Sequence, residues 1–332
     1  MSTQQPQTPT TQVPISESEP TAGSPDRPDR TGLPYFHTLR PIRGRGWRSA
    51  LGVVVVIFGY LILSGLFSMI AMTVDMVTGT GNDWRSGAFG QMRLTPSLLL
   101  AATVAPALMI PLVAIFERII YGRSGLLHSV AGRLRRRWLA ICAAVLVPLI
   151  GVYMVVFSLL MPQPGGPGPA AAWPVMLAIT LLLVPLQSAG EEYAVRGFLA
   201  RIVGSWFSSA KVALAAGIVL PSLIFMVAHG ASDPWLWVYY FTFGATMGLV
   251  AWQTGGLEAP ILLHAVNNVV AFTMTIILTD TAGALDRSAG VGGPFMLIQI
   301  AALALFGLLV IAIGRRRGIA TRVGQHLEQS AS

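Results

Sequence analysis

Eight apolar runs, each about long enough to cross a bilayer, constrain this chain more than any single motif does. A hydrocarbon core about 30 Å thick takes about 20 apolar residues of helix. The runs cover residues 51–73, 96–116, 138–161, 172–190, 212–228, 235–252, 257–278 and 295–313. They are continuous rather than ten-residue stretches of alternating polarity, so they predict helices and not barrel strands. Only 11% of the 332 residues are charged and 54% are apolar, which excludes an ordinary soluble domain. The expected fold class is an all-α polytopic membrane protein with about eight transmembrane helices.

The formal net charge of +8 raises nucleic acid as a partner, but the placement of the arginines points to membrane topology instead. Arg40, Arg43, Arg45 and Arg48 precede the first run, Arg118, Arg123, Arg133, Arg135, Arg136 and Arg137 lie between the second and third, and Arg315, Arg316, Arg317 and Arg322 follow the last. Arg201 and Lys211 separate the fourth and fifth runs, whereas the intervening loops carry mostly Asp or no charge. Every second connection is therefore basic, so the positive-inside rule predicts both termini in the cytoplasm and an even number of spans. The expected partner on this ground is the lipid bilayer, and no nucleic acid.

The chain divides by composition. Residues 1–48 read as a disordered tail, rich in Pro, Thr, Ser and Gln, that ends in a basic juxtamembrane stretch. Three helices fill 49–171, the polar chemistry is concentrated in the four helices of 172–278, the last helix and its loop take 279–314, and 315–332 form a basic tail. The first apolar run is a full span rather than a short signal-peptide core. The one cysteine, Cys142, sits within the third run and reads as a packing residue.

Ionisable side chains inside a span cost about 2.5–3.5 kcal/mol each on insertion scales, so a cluster of them calls for a function. The fourth run continues into Glu191, Glu192 and Arg196. Residues four apart share a helix face, so Glu192 and Arg196 are set to form an ion pair, while Glu191, turned about 100° away, is free to act as a base. His229 ends the fifth run and His264 lies in the seventh. Asn268 stands one turn beyond His264 on the same face, so an imidazole and an amide can point at one developing oxyanion, with Asn267 as a geometric substitute. Glu258, at the start of the seventh run, reads as an interfacial residue.

The ordered set EExxxR, FxxxH and HxxxN, carried by Glu191 to Arg196, Phe225 to His229 and His264 to Asn268, resembles the CAAX protease and bacteriocin-processing family of intramembrane endopeptidases, which includes the Ras-converting CAAX endopeptidases. The lead-in GLEAPILLH before His264 is similar to bacterial members, which implies a bacterial cell membrane. The resemblance implies a membrane-associated protein or peptide as partner and a catalytic set of Glu191, Glu192, Arg196, His229, His264 and Asn268, with Glu191 activating water, His229 assisting it and His264 with Asn268 holding the oxyanion. It also raises zinc, which Glu191, His229 and His264 would ligate. The lack of an HExxH helix favours a metal-independent general base.

Simple alternation of spans places Glu191 and His264 near the cytoplasmic end and His229 about 27 Å away at the other end of its helix. A re-entrant or broken segment near 197–221, where Gly217 and Pro221 lie, would reconcile them. A rhomboid-like serine protease built on Ser232 lacks the required loop and helix context. The non-enzyme alternatives are a transporter, an immunity protein or a peptide-binding scaffold that uses the same buried polar cluster.

Overall fold

The computed structural model describes residues 30–42, 45–80, 82–84, 92–122, 125–161 and 165–325. The expected disorder of the first 29 residues, the tail beyond 325, and Arg43, Arg123 and part of the uncharged 162–169 loop lie outside the described residues. Within them the chain is helical: α1 (Arg45–Thr78), α2 (Pro96–Ala107), α3 (Met109–Phe116), α4 (Arg136–Leu160), α5 (Trp173–Glu192), α6 (Ala200–Ser205), α7 (Ala210–Ala228), α8 (Pro234–Thr254), α9 (Glu258–Leu278) and α10 (Met296–Arg316). Their starts follow local chemistry. Thr95 and Asp233 accept backbone N–H groups of α2 and α8, and a proline occupies the first turn of α2, α5 and α8, where its missing N–H costs nothing.

Among the described residues seven spans are long and apolar enough to cross a membrane, with α2 and α3 forming one of them around Pro106. The helix at the sixth predicted run, α8, is 21 residues long but outside that set. Its Trp235, Trp237, Tyr239 and Tyr240 lower its hydropathy while leaving its length at about 32 Å, enough to pass between the two ends of the bundle. Gly255, at φ 66°, ends α8 in the left-handed conformation.

Loops from alternate connections gather at opposite ends. At one end Tyr35 donates to the Leu127 carbonyl at 2.6 Å, Arg201 binds Glu117 at 2.6 Å and Thr38 at 2.8 Å, and Arg135 binds Glu258 at 2.7 Å. Gly32 and Val323 are joined there by a backbone hydrogen bond of 2.8 Å, so the described parts of both terminal segments lie at the same, arginine-rich end. At the other end Leu94 bonds Thr281, Gly168 bonds Leu278 and Ser232 bonds Arg287.

Two features had no signal in the apolar pattern. The segment ahead of α1 forms a 3-10 turn, Tyr35–His37, whose Tyr35 and Phe36 are fully buried against α6 and α7, beside Gly204 and Gly217. The fourth span also does not stop near Gly190. It runs 33 residues from Trp173 to Ser205 through a π-helical turn, Tyr193–Leu199, so Glu191 is inside the span rather than at its end. The expected break near 197–221 takes the form of that π turn and the short link at 206–209, while α7 runs on through Pro221. Gly190 lets α5 approach α2 closely, since a Cβ there would meet the Pro106 carbonyl.

Two measurements test this packing. Phe36→Ala opens a cavity at the α6–α7 junction and is expected to cost about 3–5 kcal/mol, read by unfolding in detergent. Asp280 accepts N–H bonds from Ala282 and Gly166 and pairs with Arg93, and these hold its carboxyl below the usual aspartate range. Its contribution is therefore present above the ordinary aspartate value of about 4 and is lost as pH falls through the lowered one. Acidification of wild type and Asp280→Asn at neutral pH are both expected to lower the hydrogen-exchange protection of the Gly166 and Ala282 amides, each rate taken relative to the intrinsic rate at that pH.

Candidate active site

The site is built where α5 gives way to the π turn. Glu191 and Glu192 are the last residues of α5, and Arg196 lies within the turn. Arg196 Nη1 donates to Glu192 Oε1 at 2.9 Å, with both side chains buried. Its Nη2 donates to the Gly244 carbonyl of α8 at 3.0 Å, and the guanidinium lies 4.7 Å from the centre of the Phe225 ring of α7. One planar cation thus ties three helices together, through a fork and face that lysine lacks.

His264 brings in α9. Its Nδ1 meets Glu192 Oε1 at 2.8 Å and its Nε2 lies 3.6 Å from Glu191 Oε2. A carboxylate on Nδ1 fixes that nitrogen as the donor and leaves Nε2 turned toward Glu191. The rings of Phe243, at 4.8 Å, and Phe225, at 6.2 Å, meet the imidazole edge to face and hold its plane.

Glu191 is held at one oxygen and open at the other. Oε1 accepts the Gln187 amide one turn back, while Oε2 is buried with no hydrogen-bond partner among the described residues. Asn268 Nδ2 donates to Gln187 Oε1 at 3.3 Å, which sets Asn268 beside the glutamate. Asn267 donates to Asn268 Oδ1 at 3.1 Å and lines a separate small cavity with Tyr153 and Gln299, so the two asparagines are not interchangeable.

His229 caps the end of α7, with Nδ1 2.7 Å from the Phe225 carbonyl and its ring stacked 4.0 Å from Tyr240. It lines, with Glu191, an apolar cavity of about 570 Å³ whose walls include Val56, Tyr60, Met109 and Phe225. Glu191 lies about 21 Å short of the end of its span at Ser205, which removes most of the offset in depth expected from the sequence. His229 joins the cluster through this shared cavity and through Phe225, 4.4 Å away. Val227 and Leu61, on opposite walls, are 70% and 56% exposed, so the cavity opens at the outer surface between α1 and α7.

Among the described residues no three His, Cys, Asp or Glu side chains converge to hold a metal ion. Glu191, His229 and His264 as arranged therefore do not fit zinc, since His264 is turned to the two glutamates and His229 faces the cavity from its far wall. Glu258 is set apart from the cluster. It is fully buried and bound by the Arg135 backbone and side chain, and anchors the start of α9 rather than lying free at an interface.

Residues 170–270 match the family described as Type II CAAX prenyl endopeptidase Rce1-like. Over these residues the chain is similar to that family. The Rce1-like segment holds α5 to α8 and the first part of α9, and so every residue of the cluster. The chain is also similar to a Bacillus subtilis (strain 168) protein named uncharacterized protein YyaK, at 33% identity over 100 residues, which cover 28% of this chain and 32% of that one. The match thus spans about a third of that relative's length. No solved structure matches the chain.

Sequence reasoning passed over Gln187, whose signal was its position four residues before Glu191 on the same helical face. The buried ion pair yields a prediction of its own. Arg196→Leu leaves Glu192 buried without its cation and is expected to cost about 3–5 kcal/mol in a detergent unfolding assay, and adding Glu192→Leu is expected to recover much of that loss.

Proposed function

We propose that this chain is an intramembrane endopeptidase that hydrolyses a peptide bond of a membrane-associated protein or peptide, with Glu191 as the general base. The observation that carries the reading is the asymmetry of Glu191, a residue that lines the cavity: one oxygen is held by Gln187, and the other lies 3.6 Å from His264 Nε2 with no hydrogen-bond partner among the described residues. The match of residues 170–270 to the Rce1-like family supports a CAAX-type protease at the family level.

In this reading a water between Glu191 Oε2 and the scissile carbonyl loses its proton to the carboxylate as it attacks. The second N–H of Asn268 Nδ2 donates to the carbonyl oxygen as it becomes an oxyanion, the charge that the apolar surroundings would otherwise penalise most, and His264 Nε2–H does so when the ring carries a proton on both nitrogens. Glu191 then passes its proton to the leaving amine. His229 orients the water from the cavity wall, and Glu192 with Arg196 holds His264 in place. No step is routed through a metal.

We place the protein in a bacterial cell membrane with both termini in the cytoplasm. The arginine-rich end that holds Gly32 and Val323 supports this orientation through the positive-inside rule.

The test uses the purified full chain in detergent micelles with a farnesylated CAAX peptide and the same peptide without its lipid. Wild type is expected to hydrolyse at least one of them, and Glu191→Gln to lower the rate about 10²- to 10⁴-fold with melting temperature retained. Unchanged cleavage by folded Glu191→Gln removes the base assignment. Binding of both peptides without hydrolysis favours a scaffold.

A further inference from the structure

Gln187 is a buried amide on α5, 7% exposed, with each of its polar atoms committed. Its carbonyl oxygen accepts from Asn268 Nδ2 at 3.3 Å and from Ser188 Oγ at 3.2 Å. The Glu191 carboxylate only accepts, which identifies the atom beside its Oε1 as the amide nitrogen of Gln187 and leaves the oxygen toward Asn268 and Ser188. Asn268 is oriented in turn, because Asn267 Nδ2 donates to its Oδ1 at 3.1 Å and leaves Nδ2 facing the site. The result is a one-way chain of amides, Asn267 to Asn268 to Gln187 to Glu191, that crosses from α9 to α5.

We propose that Gln187 is the positioning residue of the site: it locks Glu191 by Oε1 and Asn268 by one N–H, so that the free Oε2 and the free N–H are presented to the same reacting carbonyl. This rests on Glu191 acting as the base. The physical reason is the single-turn reach of i and i+4 residues on a helix: only a side chain at 187 both stacks under Glu191 and faces α9 across the α5–α9 contact. A carboxylate without that donor rotates between its two oxygens, and an asparagine without that acceptor loses its direction. Each loss spoils the near-attack geometry rather than the binding of substrate.

Three variants of the full chain are compared in micelles with the cleaved peptide as probe: Gln187→Met, which keeps the length and removes both bonds; Gln187→Asn, which keeps the amide but withdraws it by about 1.5 Å; and Glu191→Gln. Gln187→Met and Gln187→Asn are each expected to lower kcat about 10- to 100-fold with KM within about twofold and melting unchanged. Combining Gln187→Met with Asn268→Ala is expected to lose less than the product of the two single losses, because the residues act through one chain. Modification of Glu191 by a hydrophobic carbodiimide, followed by mass spectrometry, is expected to speed up several-fold in Gln187→Met, and this readout does not depend on turnover. Wild-type kcat and wild-type modification rate in either folded Gln187 variant overturn the proposal. A loss confined to KM and melting temperature overturns it too, in favour of a structural role. Full activity in Glu191→Gln defeats the general base itself, whereas an inactive Glu191→Gln beside a fully active Gln187→Met defeats only the role of Gln187.

Discussion

Glu192 sits fully buried between a guanidinium and an imidazole, with Arg196 Nη1 at 2.9 Å and His264 Nδ1 at 2.8 Å sharing its Oε1. In an apolar interior an unpaired carboxylate is so costly that its partners are held in place by it. Three helices are fixed to a fourth through this one oxygen: α5 and its π turn carry the pair, α8 accepts the second arginine nitrogen through Gly244, α7 supplies the Phe225 face and α9 the imidazole. The orientation of His264, and so the direction of Nε2 toward Glu191, follows from that neutralisation.

The remaining architecture serves to put this cluster at depth with one apolar approach. The π turn widens the fourth span just after the glutamates, and the span then continues to Ser205, so the charges lie inside the bundle. Gly190 brings α2 and α5 together behind the site, whereas in front of it α1 and α7 leave the cavity lined by Tyr60, Phe225 and His229. Arg201 with Glu117, and Arg135 with Glu258, close the arginine-rich end below. A chamber lined by Glu191, His229 and Tyr60 among otherwise apolar walls suits, in the proposed reading, a substrate that arrives from the bilayer.

Much of this was legible in the chain because membrane spans and i, i+4 pairs are written in local spacing. Helices at the eight apolar runs, the Glu192–Arg196 pair and the shared face of His264 and Asn268 needed only periodicity, although seven spans rather than eight are apolar enough to cross a membrane among the described residues. The extent of the fourth span was not legible, because Glu191, Glu192 and Arg196 interrupt its hydropathy and a π turn has no compositional mark. The burial of Tyr35 and Phe36 was hidden for the opposite reason, since a short apolar patch before a basic stretch looks the same whether packed or free. Glu258 looked interfacial until Arg135, 123 positions away in sequence, was seen to bind it. Gln187 is neutral and unremarkable in composition, and only the arrival of Asn268 from α9 gives it a direction.

In the proposed reaction water, not a side chain, is the nucleophile, and that is open to direct observation. Under single-turnover conditions with excess protein, a farnesylated CAAX peptide and added hydroxylamine, intact-mass spectrometry of chain and products separates the two routes. Direct attack by water activated at Glu191 predicts a free carboxylate at the new peptide end, no hydroxamate and no mass added to the protein at any time. A peptide fragment retained on the chain, or released as the hydroxamate, would contradict the account.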